Sequence, residues 1–420
     1  MTTPSSQIGT APRIRATIRP AADWSAAAPD WTALYAADPT ASFFMSPAWV
    51  ATWLEVFAAA FDEVCTIVFH DLGTGAAVGA AVLTQCVRRV AGVPLRRLAL
   101  HTAGERDADN ATVEHVTMLA RPEHAAAVRA SLAEIIRSRS WDELLLAGGR
   151  ADTLGVLGDV VSPSAVEVVW RPTYFVDLTT LRTTGATYET ILSKNTRDQM
   201  RRSLRLYRER GDVTLRAAAS EEDALALFEE LGKLHGARWT AQGIPGGAFA
   251  SRAWRAFHER LIARTFAEGG THLLRVAAGN EPIGLLYLFV ARGVVSFYQS
   301  GFRYESDNRI KPGLVTHALA IQRYLEQGLD GYDFLAAGVE GARYKESLST
   351  STDRLAWAVA RRPTRMLRSS VRGSPARRPP WSPGAWGYAL RWWTRSLSTR
   401  RPSRRKRSSL IRPTLSAGSA

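Results

Sequence analysis

Hydrophobic positions along the chain switch between a period of about two and a period of about 3.6 residues, and the switches lay out its elements. Residues 1–25 carry neither period and read as a flexible N-terminus. Behind Ser46-Pro47, an N-cap and a proline at the first helical position, Trp49, Trp53 and Phe57 recur at helical spacing and predict a core-facing helix. Strands follow over 64–70, 77–87, 95–101 and 143–147, with a helix over 122–137. A second unit starts near Gly185 with a basic helix over 188–210, ended by Gly211. Next come a strand over 213–217, a helix opened by the capping box Ser220-Glu221-Glu222-Asp223, and a helix over 251–268. Strands over 272–278, 282–291 and 294–300 precede a helix from Pro312-Gly313 to 327, closed by Gly328. Strands over 332–335 and 354–360 complete it. Both units run helix, strands, helix, strand, which predicts a mixed α/β (α+β) fold built from a duplicated unit, with halves at 26–184 and 185–360.

Charge changes this picture at the C-terminus only. From Arg361 onward there are 16 Lys and Arg and no Asp or Glu, leaving 38 basic against 39 acidic residues in 1–360. The net charge of +15 therefore belongs to residues 361–420, whose Arg, Ser and Pro content predicts a mostly disordered basic tail. Within it, Trp386, Leu390, Trp393 and Leu397 share one face of an amphipathic helix over 384–397. Tryptophan beside arginine suits an anionic membrane surface, nucleic acid is a second partner for such a polycation, and a tail without a partner is equally compatible.

Two cysteines, Cys65 and Cys86, fall in strand-like runs and make no disulfide framework. No Cys/His cluster has metal-ligand spacing, so no metal is expected. The N-terminus lacks a signal-peptide apolar core and the longest apolar runs are too short to span a bilayer. The expectation is a cytoplasmic protein, peripheral on the inner membrane face if the tail binds lipid.

Chemistry concentrates after residue 300. The chain leaves a hydrophobic strand, crosses a polar loop and enters a helix at Pro312-Gly313, with Arg309 and Lys311 beside the helix N-terminus. Free N–H groups, a partial positive charge and full charges together bind phosphate, while a plain helix start with solvated charges fits the same residues.

Several short motifs stand in order. They are Ser193-Lys194-Asn195-Thr196-Arg197 with Arg201-Arg202, Trp239, Phe297-Tyr298-Gln299-Ser300-Gly301-Phe302, Lys311-Pro312-Gly313-Leu314, Tyr332-Asp333-Phe334 and Tyr344-Lys345. In this order the chain resembles GNAT-superfamily acyltransferases of the CelD type, associated with cellulose biosynthesis and related to the FemAB transferases. The first half shares only Phe44-Met45-Ser46-Pro47-Ala48-Trp49.

The resemblance implies two tandem GNAT-like halves, the second catalytic. It also implies transfer of an acyl group from acyl-CoA or acetyl-CoA to an amine or hydroxyl, with a sugar or envelope-polysaccharide precursor as acceptor. The donor's pyrophosphate would lie on Arg309, Lys311, Gly313 and Leu314, with Lys345 nearby. Only one glycine of the usual phosphate signature is present. Asp333, Glu305 and Tyr298 are the candidates for proton transfer, Asp333 with a raised pKa if it faces an apolar cleft. Arg197, Arg201, Trp239 and Tyr344 are candidate substrate contacts. A FemAB-like aminoacyl-tRNA-dependent transferase and a non-catalytic GNAT-fold binding protein tethered by its tail are the competing readings.

Overall fold

The computed structural model describes residues 13–90, 92–336 and 342–362. In chain order the first half comprises β1 (Ile14–Pro20), α1 (Trp24–Ala37), α2 (Pro47–Phe57), β2 (Glu63–Asp71), β3 (Ala77–Val90), β4 (Val93–Leu100), β5 (Leu119–Ala120), α3 (Ala125–Ser138), β6 (Glu143–Gly149), α4 (Gly155–Val160) and β7 (Val166–Asp177). The second comprises α5 (Leu178–Thr184), α6 (Tyr188–Ile191), α7 (Lys194–Arg208), β8 (Val213–Ala217), α8 (Glu221–Ala241), α9 (Arg252–Thr265), β9 (Thr271–Ala278), β10 (Glu281–Ala291), β11 (Val294–Phe302), α10 (Pro312–Glu326), β12 (Gly331–Ala336), α11 (Ala342–Glu346) and β13 (Ser351–Arg361).

All thirteen strands form one sheet, ordered β1-β2-β3-β4-β6-β13-β7-β12-β11-β10-β9-β8, with β5 beside β3. The order is symmetric about the β13–β7 join, and β4–β6 and β11–β12 are the parallel pairs in their respective halves. The duplication expected from element order is thus written in the topology. The last strands are exchanged: β7 of the first half pairs β12 of the second, and β13 returns to pair β6.

Aromatic side chains close the halves together. Trp49 is buried and packs edge-on to Phe257 at 4.9 Å, while Phe43 stacks on Phe289 at 4.4 Å. Ser46 caps α2 as expected, its Oγ accepting from Trp49 N at 3.1 Å. Across the β4–β6–β13 region the buried Arg97 donates to Glu143 Oε2 at 2.6 Å, and Arg361 donates to Oε1 at 3.1 Å.

Three sequence readings change. Residues 14–20 are not part of a flexible terminus: they pair with β2 along their length. The basic helix over 188–210 is broken between α6 and α7, because Ser193 Oγ takes Thr196 N–H and restarts the helix. β7 was not anticipated at all. The tail from residue 363, with the helix expected over 384–397, lies outside the described residues.

Candidate active site

β11 and β12 run parallel for three residue pairs, from Val294–Gly331 to Ser296–Asp333. Beyond them β11 stays with β10, whereas β12 turns toward β7 and sets Ala336 opposite Thr173. The strands part and open a groove. Phe297, Tyr298, Gln299 and Ser300 are all partly exposed although they lie mid-sheet, as an open groove requires.

Helix α10 begins beside this groove. Lys311 occupies its N-cap position and makes no side-chain cap. Val315 N–H reaches back to Lys311 O, while the Gly313 and Leu314 amides have no backbone partner among the described residues. Such first-turn amides are the anion-binding groups of a helix. A Cβ at 313 would lie 2.6 Å from the Tyr344 hydroxyl, so any larger residue has to displace that ring. That hydroxyl is shut off from solvent without a hydrogen-bond partner, and so is His317 Nε2, whose ring lies 6.0 Å from the Tyr344 ring.

At the parting point sits a buried polar cluster drawn from both halves. Asp333 Oδ1 accepts from Thr173 Oγ1 at 3.0 Å and from Leu335 N at 2.7 Å. Its Oδ2 lies 2.7 Å from His115 Nε2. Burial pushes this carboxyl up, but His115 and the two donors outweigh it and hold Asp333 below its ordinary value. Burial likewise favours a neutral His115, and Asp333 and Glu114 overcome it, so the ring titrates above its ordinary value. Glu114 Oε2 accepts from Ala336 N at 2.6 Å, and burial pushes its carboxyl up against the pull of Lys345. Lys345 Nζ donates to the carbonyls of Phe334, Leu335 and Ala336 at 2.5, 3.1 and 2.9 Å. Burial lowers this amine to about 8, with Glu114 and Asp333 pulling the other way. Both His115 and Leu335 hold positive φ, 52° and 58°, which non-glycine residues seldom adopt.

Residues 194–346, which span the groove, α10 and the Asp333 strand, match the acetyltransferase (GNAT) domain family. The segment has a GNAT-like fold. The fold of FemX is similar over 79% of this chain and 95% of its own, at 12% identity and a TM-score of 0.52. The tandem GNAT protein from the clavulanic acid biosynthesis pathway aligns over 84% of this chain and all of its own, at 11% identity and a TM-score of 0.45. The C-terminal domain of a putative lysylphosphatidylglycerol synthetase from Agrobacterium fabrum aligns over 81% and 92%, at 11% identity and 0.47. No curated protein matches the chain.

Within this segment the expected residues divide. Gly313, Tyr344, Lys345 and Asp333 gather around the groove, and Tyr298 lines it. Tyr298 packs against Phe289 at 4.8 Å and His258 at 4.9 Å; burial, then the charges of Glu105 and Glu114, push its hydroxyl well above the usual range. Several assignments need correction. Asp333 does not have a raised pKa, because a histidine from the other half neutralises its burial. Lys345 is not free for phosphate, since all three of its protons go to backbone carbonyls. Leu314 contributes a backbone amide only, its side chain being buried in the core. Glu305 is unsuited as a base: Arg210 grips it bidentately at 2.7 and 2.9 Å and holds its pKa down.

Arg309 lies on the exposed rim with its guanidinium on Asp307, at 3.0 and 2.7 Å. Lys311 donates its backbone N–H to Ser203 Oγ at 2.9 Å, which ties the loop before α10 to α7. On α7, Arg201 is ion-paired with Glu189, and Arg197 reaches Leu192 O at 3.5 Å. Trp239 lies in the last turn of α8, 5.8 Å from His235, whose Nδ1 contacts Ser300 O at 3.2 Å. Sequence reasoning missed His115, Glu114 and Thr173. Glu114 and His115 have only a polar pair between buried Val113 and Val116 as a local signal, and Thr173 on β7 has none.

Among the described residues no group of His, Cys, Asp and Glu has the arrangement to hold a metal ion. Nor is any helix among them long and apolar enough to cross a membrane.

Proposed function

We propose that the chain transfers an acyl group from acyl-CoA, acetyl-CoA in the simplest case, to an amine or hydroxyl acceptor bound over Asp333. One observation carries the reading: the β11–β12 groove opens beside a helix whose first-turn amides lack partners. The Gly313 and Leu314 amides and the Lys311 charge would hold the donor's pyrophosphate. The edges of the parted strands offer unpaired backbone groups to its amide-bearing arm. The unpartnered Tyr344 hydroxyl lies against Gly313 and suits the same anion. The CelD-type motifs favour a sugar or cell-envelope polysaccharide precursor as acceptor, in a cytoplasmic setting. Titration calorimetry with acetyl-CoA and longer acyl-CoAs tests the donor; no heat at millimolar ligand defeats this reading.

The aminoacyl-tRNA alternative draws support from the FemX-like fold and the exposed arginines of α7. It requires transfer of labelled amino acid from charged tRNA. A non-catalytic GNAT-fold binding protein would bind donor yet release no CoA with any acceptor. The basic tail is proposed to contact anionic membrane, with nucleic acid as the other polyanion. Co-sedimentation of the full chain and of residues 1–362 with phosphatidylglycerol vesicles decides it, equal pelleting ruling the tail out.

A further inference from the structure

The two halves share a topology but not an open groove. In the first half β4 and β6 run parallel from Arg97–Glu143 to Ala99–Leu145 and then part, as β11 and β12 do. Here the chain fills the opening itself. Val116 forms a parallel bridge with Gly149. Its N–H donates to Gly148 O at 3.0 Å, and its carbonyl accepts from Arg150 N at 3.0 Å and Thr153 Oγ1 at 2.9 Å. The fit is tight: a Cβ on Gly148 would lie 2.1 Å from Val113 O. An extended ligand entering this groove would meet residues 113–117 in its place.

That same segment reaches across to the second half. Glu114 takes the Ala336 amide, and His115 stands on Asp333. Nε2 lies 2.7 Å from the Asp333 carboxylate, out of line for a hydrogen bond yet close enough for the negative charge to favour a proton on it, which leaves the lone pair on Nδ1. No described group bonds Nδ1. Asp333, fixed by Thr173 and Leu335, sets this tautomer.

We propose that the first half binds no donor and instead supplies the base: residues 113–117 close its own groove and present His115 to the open one, where Nδ1 takes the acceptor's proton. The proposal rests on the acyl-CoA reading above. The acceptor nitrogen or oxygen attacks the thioester carbonyl and its proton passes to Nδ1. The C–S bond then breaks, and the thiolate leaves with that proton as CoA-SH. The products are the acylated acceptor and free CoA, with the ring restored. Asp333 is the positioning residue. The charged groups facing His115 are Asp333, Glu114 and Arg150, with Lys345 set between the two acids.

The test measures CoA release from acetyl-CoA with ethanolamine, which offers both an amine and a hydroxyl, together with calorimetry using CoA. Wild type is expected to bind one CoA per chain and to gain rate through a single inflection in the histidine range. His115→Gln should keep CoA binding, lose about 10²- to 10³-fold in rate and lose the inflection. Asp333→Asn should lose less and move the inflection to lower pH. Two CoA per chain, a His115→Gln profile like wild type, or CoA bound by wild type without release, each overturns the proposal. Absence of CoA binding defeats the donor reading instead. Should His115→Gln unfold, the ring titration of His115 by NMR, expected to fall in Asp333→Asn, decides the dyad.

Discussion

Gly148→Ala tests how firmly residues 113–117 fill the first half's groove. Gly148 has φ of 61°, so alanine there pays about 1–2 kcal/mol for a left-handed backbone. The new Cβ would stand 2.1 Å from Val113 O, well inside van der Waals contact, and the obstacle is backbone. The segment must withdraw by about 1 Å or more. Val116 then gives up three hydrogen bonds, to Gly148, Arg150 and Thr153, at about 1 kcal/mol each. The loss sums to about 4–5 kcal/mol. Gly158→Ala is the control, since that glycine sits in α4 with nothing within 4 Å of an added Cβ. It should be neutral or slightly stabilising. Urea unfolding followed by far-UV circular dichroism compares the three proteins. A Gly148→Ala variant within 1 kcal/mol of wild type would refute the reasoning.

Other outcomes follow from buried groups. Burial lifts Glu105 to about 7 against the bond from Trp53, whereas the unfolded carboxyl releases its proton near 4.5. Between those values the folded state holds more protons, so this group's contribution to stability falls as pH rises. Glu105→Gln should therefore gain about 3 kcal/mol relative to wild type between pH 4.5 and 7, read from urea midpoints at each end. Arg97→Met strands half of a buried pair, though Arg361 still reaches Glu143; a loss of about 3 kcal/mol is expected, largely recovered in the double variant with Glu143→Leu. Trp49→Ala removes the ring that packs on Phe44 and, across the halves, on Phe257, Phe289 and Tyr298, and should cost about 4 kcal/mol in the same urea assay.

How much was legible in the sequence depends on how local the cause was. The strands of the second half alternate between apolar and polar or run fully apolar between glycines, and their ends fall within three residues of expectation. β7 escaped because Val168, Val169 and Trp170 are exposed and Pro172 interrupts the run, so no period of two marks it. β1 escaped because a short edge strand beside a polar terminus needs few apolar residues. The start of α10 was readable from Pro312-Gly313, a signal held within one turn. The seam was not. Glu114 and Ala336 are 222 positions apart, and no periodicity connects them. The direction of the Asp333 shift was misjudged for the same reason: the charge that decides it comes from the other half.

The exchange of β7 and β13 explains why a duplicated fold converges on one site. If each half kept its own last strand, β6 and β12 would face separate partners and the parting points would lie independently. Because β13 crosses to β6 and β7 crosses to β12, the halves are locked edge to edge through one continuous sheet. Thr173, on the exchanged strand β7, thereby reaches Asp333 on β12. The same join brings the loop after β4 alongside the end of β12, so Glu114 and His115 meet Ala336 and Asp333. The family match over 194–346 includes neither β7 nor β13, and so omits the strands that assemble the cluster. If the groove holds the donor as proposed, the matched segment is therefore incomplete as a catalyst by itself. The first half adds to the cluster a strand, the Thr173 hydroxyl and the His115 imidazole.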